Sequence, residues 1–232
     1  MNRIIALIMS FVMIVLCVGC SEQGNNKESK NTETSKTTVF DKDVVKSQIK
    51  VTEYEYPQTT SEDWIIWVLE NTSEFNVNVT SFMSFYDAEG TQVDQSAFES
   101  NNLHSGEKTM VYFIPDASYE TRGSSISVSQ GDDESNLAPY MTHEIIEENG
   151  KQYISVTNTS HKTAETVRAY VVYMKDGVPT YFEVYFLDDE DGEVKANGTV
   201  KEEIFEQWSM AHDEPLVYDT IEVYFYEVDV AD

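Results

Sequence analysis

The sequence predicts an all-β chain: two tandem immunoglobulin-like antiparallel β-sandwiches behind a signal peptide and a disordered tether. Three observations predict it. Short runs rich in Val, Tyr, Phe and Thr alternate apolar and polar residues with period two, as half-buried strands do. Turn-forming Gly and Asn residues separate those runs. A block built around Asn-Thr-Ser occurs twice, at Asn71 and at Asn158, 87 residues apart, which is too long for a solenoid repeat and fits a small sandwich.

The N-terminus sets the compartment. Arg3 precedes thirteen mostly apolar residues, Ile4 to Leu16, and then Cys17-Val18-Gly19-Cys20. A charged start, a short apolar core and a small residue before the cut mark a secretory signal. The stretch is short for a bilayer span of about 20 residues. Gly19-Cys20 resembles the lipobox of bacterial lipoproteins, which implies removal of residues 1–19 and acylation of Cys20, with Cys17 standing where the usual Leu would be. The membrane is then a partner through that lipid. The expected location is the outer face of a bacterial, Gram-positive cell membrane. Cleavage leaves one cysteine in the mature chain, so no internal disulfide can form and the core alone must hold the fold.

Residues 20–39 read as the lipidated Cys and a tether. From Ser21 to Thr38 no side chain is apolar, so ordering entropy has nothing to offset it. Eighteen residues of coil span roughly 20–25 Å. Lys and Glu cancel within the tether, and the net charge of −27 belongs to the rest. Residues 39–136 carry five cations against eighteen acids, and residues 137–232 carry six against twenty-one. Such a surface excludes nucleic acid, which needs a clustered cationic face.

The first sandwich is placed at 40–132 and the second at 137–232, with the polar stretch Gly131 to Asn136 between them. Trp64 to Leu69 is apolar on both faces and reads as a central strand. In the next run Val77, Val79, Ser81, Met83 and Phe85 share one face. In the second unit Phe182, Val184 and Phe186 are expected inward, as are Ile221, Val223 and Phe225. Hairpin signals stand at Asp87 to Gly90, Glu148 to Gly150, Lys175 to Gly177 and Asn197-Gly198. Lys201 to Met210 has a weak helical pattern, but Ser105 to Phe113 parallels Asn197 to Phe205, with Gly106 set against Gly198, and argues for a strand.

The residues Val68 to Ser73, Met83-Ser84-Phe85-Tyr86-Asp87 through Gly90, and Leu103-His104-Ser105-Gly106-Glu107 together resemble the FxLYD-type domain of bacterial lipoproteins. Met83 replaces that family's Phe and Phe85 its Leu. In the second half Tyr173 is set against Tyr86 and Met174 against Asp87. The resemblance covers about 90 residues and implies an immunoglobulin-like fold, with no general activity to carry over.

Candidate chemistry is sparse. The four His, at 104, 143, 161 and 212, lack metal-ligand spacing. No phosphate loop or nucleophile elbow occurs, and the expectation is no catalysis and no cofactor. Asp188, Asp189, Asp191 and Glu193 crowd one Gly-containing turn and could offer oxygens to Ca2+, although a solvated hairpin tip explains them as well. Tyr181, Glu183, Tyr185, Glu222, Tyr224 and Tyr226 are expected to point outward from the second sandwich. They form a tyrosine-and-acid face suited to a basic or hydroxyl-rich ligand, unless the first domain covers them. The function expected is a non-enzymatic, lipid-anchored surface binding or adaptor protein that meets an envelope or extracellular protein or glycan. The alternative is a structural subunit docked on another envelope protein, and a calcium-dependent or hydrolytic module is more distant.

Overall fold

The computed structural model describes residues 39–58, 62–132, 135–205, 208–209 and 214–231. The signal segment and the tether, Cys20 included, lie outside the described residues. Val39 to Asp232 form one compact unit, and the architecture is an all-β sandwich.

The first half opens with one helical turn, α1 (Lys42–Ser47), capped by the Asp41 carboxylate, which accepts from the Asp43 and Val44 amides. Six strands follow: β1 (Ile49–Gln58), β2 (Glu62–Asn71), β3 (Val77–Tyr86), β4 (Gln92–Leu103), β5 (Lys108–Phe113) and β6 (Thr121–Gln130). They form two antiparallel sheets ordered β1-β2-β5 and β4-β3-β6. The chain therefore crosses between layers after β2, β4 and β5, in the Greek-key manner of an immunoglobulin-like sandwich.

The second half repeats this plan. A short 3-10 turn (Ala138–Tyr140) leads into β7 (Met141–Glu148) and β8 (Lys151–Asn158). Then come β9 (Ala164–Glu165), β10 (Val167–Lys175), β11 (Val178–Leu187), β12 (Glu193–Val194), β13 (Thr199–Ile204), β14 (Trp208–Ser209), β15 (Glu214–Pro215) and β16 (Thr220–Tyr226). The sheets run β13-β8-β7 and β11-β10-β16, with β12 pairing β9 and β14 pairing β15. Lys201 to Ile204 is strand, paired with β8, so the helical pattern there yields to the sheet.

Register makes the repeat exact enough to number. Asn71 lies opposite Ile49, and Asn158 opposite Met141. The Thr72 amide donates to Gln48 O and the Thr159 amide to Tyr140 O, so even the helical turns before β1 and β7 correspond. Val45 and Leu137 fill the same position, both buried. Val77 pairs Leu103 as Ala164 pairs Val194. Two alignments drawn from sequence need correction. Gly106 and Asn197 share positive φ, 81° and 57°, and the Asn71 and Asn158 amides donate to the carbonyls of Glu107 and Gly198, so Gly106 matches Asn197 and not Gly198. One extra residue at Thr166 separates β9 from β10, and beyond it the inward set Val79, Ser81, Met83, Phe85 matches Val167, Ala169, Val171, Tyr173. Tyr173 thus stands where Phe85 does, and Met174 where Tyr86 does.

Three apolar layers result. Ile65, Trp67, Leu69, Val79, Met83 and Phe85 pack between the first two sheets. Ile154, Val156, Val171, Tyr173, Tyr185 and Leu187 pack between the last two. The third layer lies between the halves, where Ile66 and Met110 meet Tyr170, Val172, Met174 and Phe182. Strand β1 faces β11, and β5 faces β16. The four sheets are stacked face to face. This explains why β2 and β10, central in their sheets, are apolar on both faces: each lines two layers at once.

Candidate functional site

The sheet β11-β10-β16 separates the six predicted ligand residues into two groups on opposite faces. Tyr181 and Tyr185 pack against the second half's own core, and Tyr185 donates to the Glu183 carboxylate at 2.8 Å. They are not on the outward face. The outward expectation follows from taking Phe182, Val184 and Phe186 as the inward set. Phe182 and Val184 instead face the first half, and Phe186 is 59% exposed.

Tyr224 and Tyr226 pack into the layer between the halves. Tyr224 donates to Glu222, and Tyr226 to the backbone oxygen of Glu99 in the first half. The Arg168 guanidinium lies 5.2 Å over the Tyr226 ring. Burial and the neighbouring carboxylate both hold the Tyr224 phenol far above its usual pKa. These rings join the two halves.

The acidic turn has its own account. The Asp189 amide donates to Glu193 O, the Gly192 amide donates to Asp189 O, and Asp189 Oδ1 accepts from the Asp191 and Glu193 amides. Asp87 builds the same loop: its amide donates to Thr91 O, the Gly90 amide donates to Asp87 O, and its Oδ1 accepts from Glu89 and Thr91. Gly90 and Gly192 share φ near +80°, a conformation that suits glycine. Asp188 accepts from Thr166, and Lys195 pairs Glu193 at 2.5 Å and Asp191 at 3.4 Å. Among the described residues, no group of three or more His, Cys, Asp or Glu is arranged to hold a metal ion.

A cavity of about 550 Å3 opens at one end of the second half, within the range of small-molecule sites. Lys151 and Gln152 reach it from the start of β8, Glu203 and Ile204 from the end of β13, Tyr173 from β10, and Tyr218 from the approach to β16. The Tyr173 and Tyr218 rings meet edge to face, 5.0 Å apart at 71°. Phe85 and Tyr119 make the corresponding contact in the first half, at 4.8 Å. Lys151 Nζ pairs Glu203 Oε2 at 2.7 Å on the rim, and Tyr218 Oη donates to Gln152 Oε1 at 3.1 Å.

Tyr173 is the unusual member. It is 1% exposed, its hydroxyl meets no hydrogen-bond partner at bonding geometry among the described residues, and Phe85 fills the matching position without an oxygen. A buried hydroxyl lacking a partner costs on the order of 1–3 kcal/mol. Burial first, opposed by the Tyr185 hydroxyl and helped by Glu183 and the Tyr218 and Tyr181 phenols, raises the Tyr173 pKa well out of the physiological range, so the group is a neutral donor and acceptor. The Tyr185 phenol is likewise raised, by burial and by its bond to Glu183. Sequence reasoning set Tyr173 against Tyr86 and so passed over it. The comparison that finds it is Phe85 against Tyr173, visible once Thr166 is treated as an insertion.

Among the described residues no helix is long and apolar enough to cross a membrane. The chain matches no protein-family model and no curated protein.

Proposed function

We propose that the protein is an exported, lipid-anchored binding module, acylated at Cys20, that holds a ligand at the open end of its second half without transforming it. The observation that carries this reading is Tyr173: a buried phenol, lining a cavity, whose hydroxyl meets no hydrogen-bond partner at bonding geometry among the described residues. A position that needs only a ring in the first half carries a hydrogen-bonding ring in the second. The chemistry around it favours holding over reacting. The phenols are pushed away from ionisation, and the rim carboxylate of Glu203 is tied to Lys151. Export and tethering, read from the N-terminal pattern and from the resemblance to FxLYD-type lipoproteins, would present this end outside the membrane.

Mass spectrometry of the full chain extracted in detergent tests both parts. Loss of residues 1–19 with added acyl mass at Cys20 is expected. A compound retained by the protein is expected to be recovered with its mass unchanged. Protein that keeps Met1 removes the anchor, and a ligand recovered as a product removes the non-catalytic reading.

A further inference from the structure

Resting on the binding reading above, we infer that the Tyr173 cavity takes a neutral, hydroxyl-rich ring compound: a sugar unit of a glycan. The first argument is charge. The protein carries −27, yet the described lining holds one cation and one anion, Lys151 and Glu203, already paired at 2.7 Å. A cationic ligand would call for surplus carboxylate, and an anionic one for surplus ammonium. The described lining has neither.

The second argument is hydrogen-bond type. Tyr173 Oη, which meets no partner at bonding geometry among the described residues, can both donate and accept. Gln152 spends its oxygen on Tyr218, which leaves its amide nitrogen as a donor. Lys151 and Glu203 set a donor directly beside an acceptor. A surface that mixes donors and acceptors this closely is matched by groups that do both, and hydroxyls do both. The third argument is shape. Tyr173 and Tyr218 form an aromatic corner, backed by Ile204 and Leu216. A ring with apolar C–H faces and equatorial hydroxyls can pack against the corner and bond along its edge.

The test uses the full chain in a zwitterionic, non-glycosidic detergent, titrated by calorimetry with three probes: the tetramer of N-acetylglucosamine, maltotetraose and tetralysine. At least one oligosaccharide is expected to bind saturably, one per chain, and tetralysine is not. Tyr218→Ala is expected to weaken that binding about tenfold, or 1.4 kcal/mol. Tyr218 is half-buried and its loss could disturb folding, so two milder variants accompany it. Tyr173→Phe removes only the orphan oxygen, and Lys151→Met breaks the exposed rim pair. Both are expected to weaken binding several-fold while the melting temperature holds or rises. Oligosaccharide binding that all three variants leave intact lies elsewhere and overturns the inference. If tetralysine binds in place of the sugars and the same variants weaken it, the glycan assignment falls and the binding reading stands. If no probe binds, both fall.

Discussion

Glu107 is a carboxylate placed where its charge is unwelcome. It lies at the junction of the halves, where the His104 amide donates to Oε2 at 2.7 Å and Asn136 Nδ2 to Oε1 at 3.4 Å. Burial outweighs these bonds and raises its pKa to about 7. Its folded pKa thus exceeds its unfolded value of about 4.5. The native state holds the extra proton between those values, so stability falls as pH rises through that window and levels off above it. At about 1.4 kcal/mol per unit, the loss is on the order of 3–4 kcal/mol. Glu107→Gln keeps an acceptor for His104 and cannot ionise. Urea midpoints measured at pH 5 and pH 8 are expected to show the variant losing less than the wild type, and to leave it the more stable protein at pH 8. Parallel wild-type and variant curves would mean that Glu107 is solvated. The same residue scale holds the clearest gap between sequence and structure. Nothing in the string of letters says that Tyr173 is a phenylalanine position; that follows only from knowing which neighbour occupies the same place in the other half.

At the scale of elements, the Asn-Thr-Ser triplet shows why part of the fold could be read directly. Asn71 Nδ2 donates to the carbonyls of Phe75 and Leu103, and its Oδ1 accepts from Ser73. Asn158 donates to Lys162 and Val194 and accepts from Ser160. In each half one buried amide ties the end of the second strand to the following loop and to the strand end that carries Leu103 or Val194. Aspartate has no amide nitrogen to donate and serine reaches less far, so the triplet recurs. Asn158→Ala would strand two carbonyls and an amide in the interior. It is expected to cost about 3 kcal/mol, read as a shifted urea midpoint with an unchanged slope; a cost under about 1 kcal/mol would show that water replaces the amide. Strands were legible from alternation, and turns from Gly and Asn. What alternation could not supply was the face. In β11 both sets of residues are covered, one by its own partner sheet and one by the first half, so period two says that two faces exist and not which layer each enters. Taking Phe182, Val184 and Phe186 as the set facing the second half's own core therefore puts Tyr181 and Tyr185 on the wrong side.

At the scale of the molecule, the layer between the halves converts two sandwiches into one stack. Two domains on a polar linker would each present a polar outer face. Here Ile66, Met110, Tyr170 and Val172 are all at most 4% exposed, and Trp64, Tyr112 and Phe182 interlock across the boundary with ring centroids 5.1 to 5.6 Å apart. The junction is fastened as well. The buried Asn136 side chain donates to Asn102 O and accepts from the Ala138 and Val228 amides, and Thr109 Oγ1 donates to Phe225 O at 3.0 Å. The polar stretch Gly131 to Asn136 that reads from sequence as the boundary is therefore pinned at its end. A carboxylate set into this layer tests the architecture. Val172→Asp puts an unpaired charge at its centre, where removal from water costs several kcal/mol, while Val172 belongs to neither of the two flanking cores. The wild type is expected to melt in one calorimetric transition over residues 39–232. The variant is expected to melt in two, because each half retains a core of its own, and to associate at high concentration through the apolar faces it uncovers. If Val172→Asp melts in one transition at the wild-type temperature, the sheets do not pack through this layer.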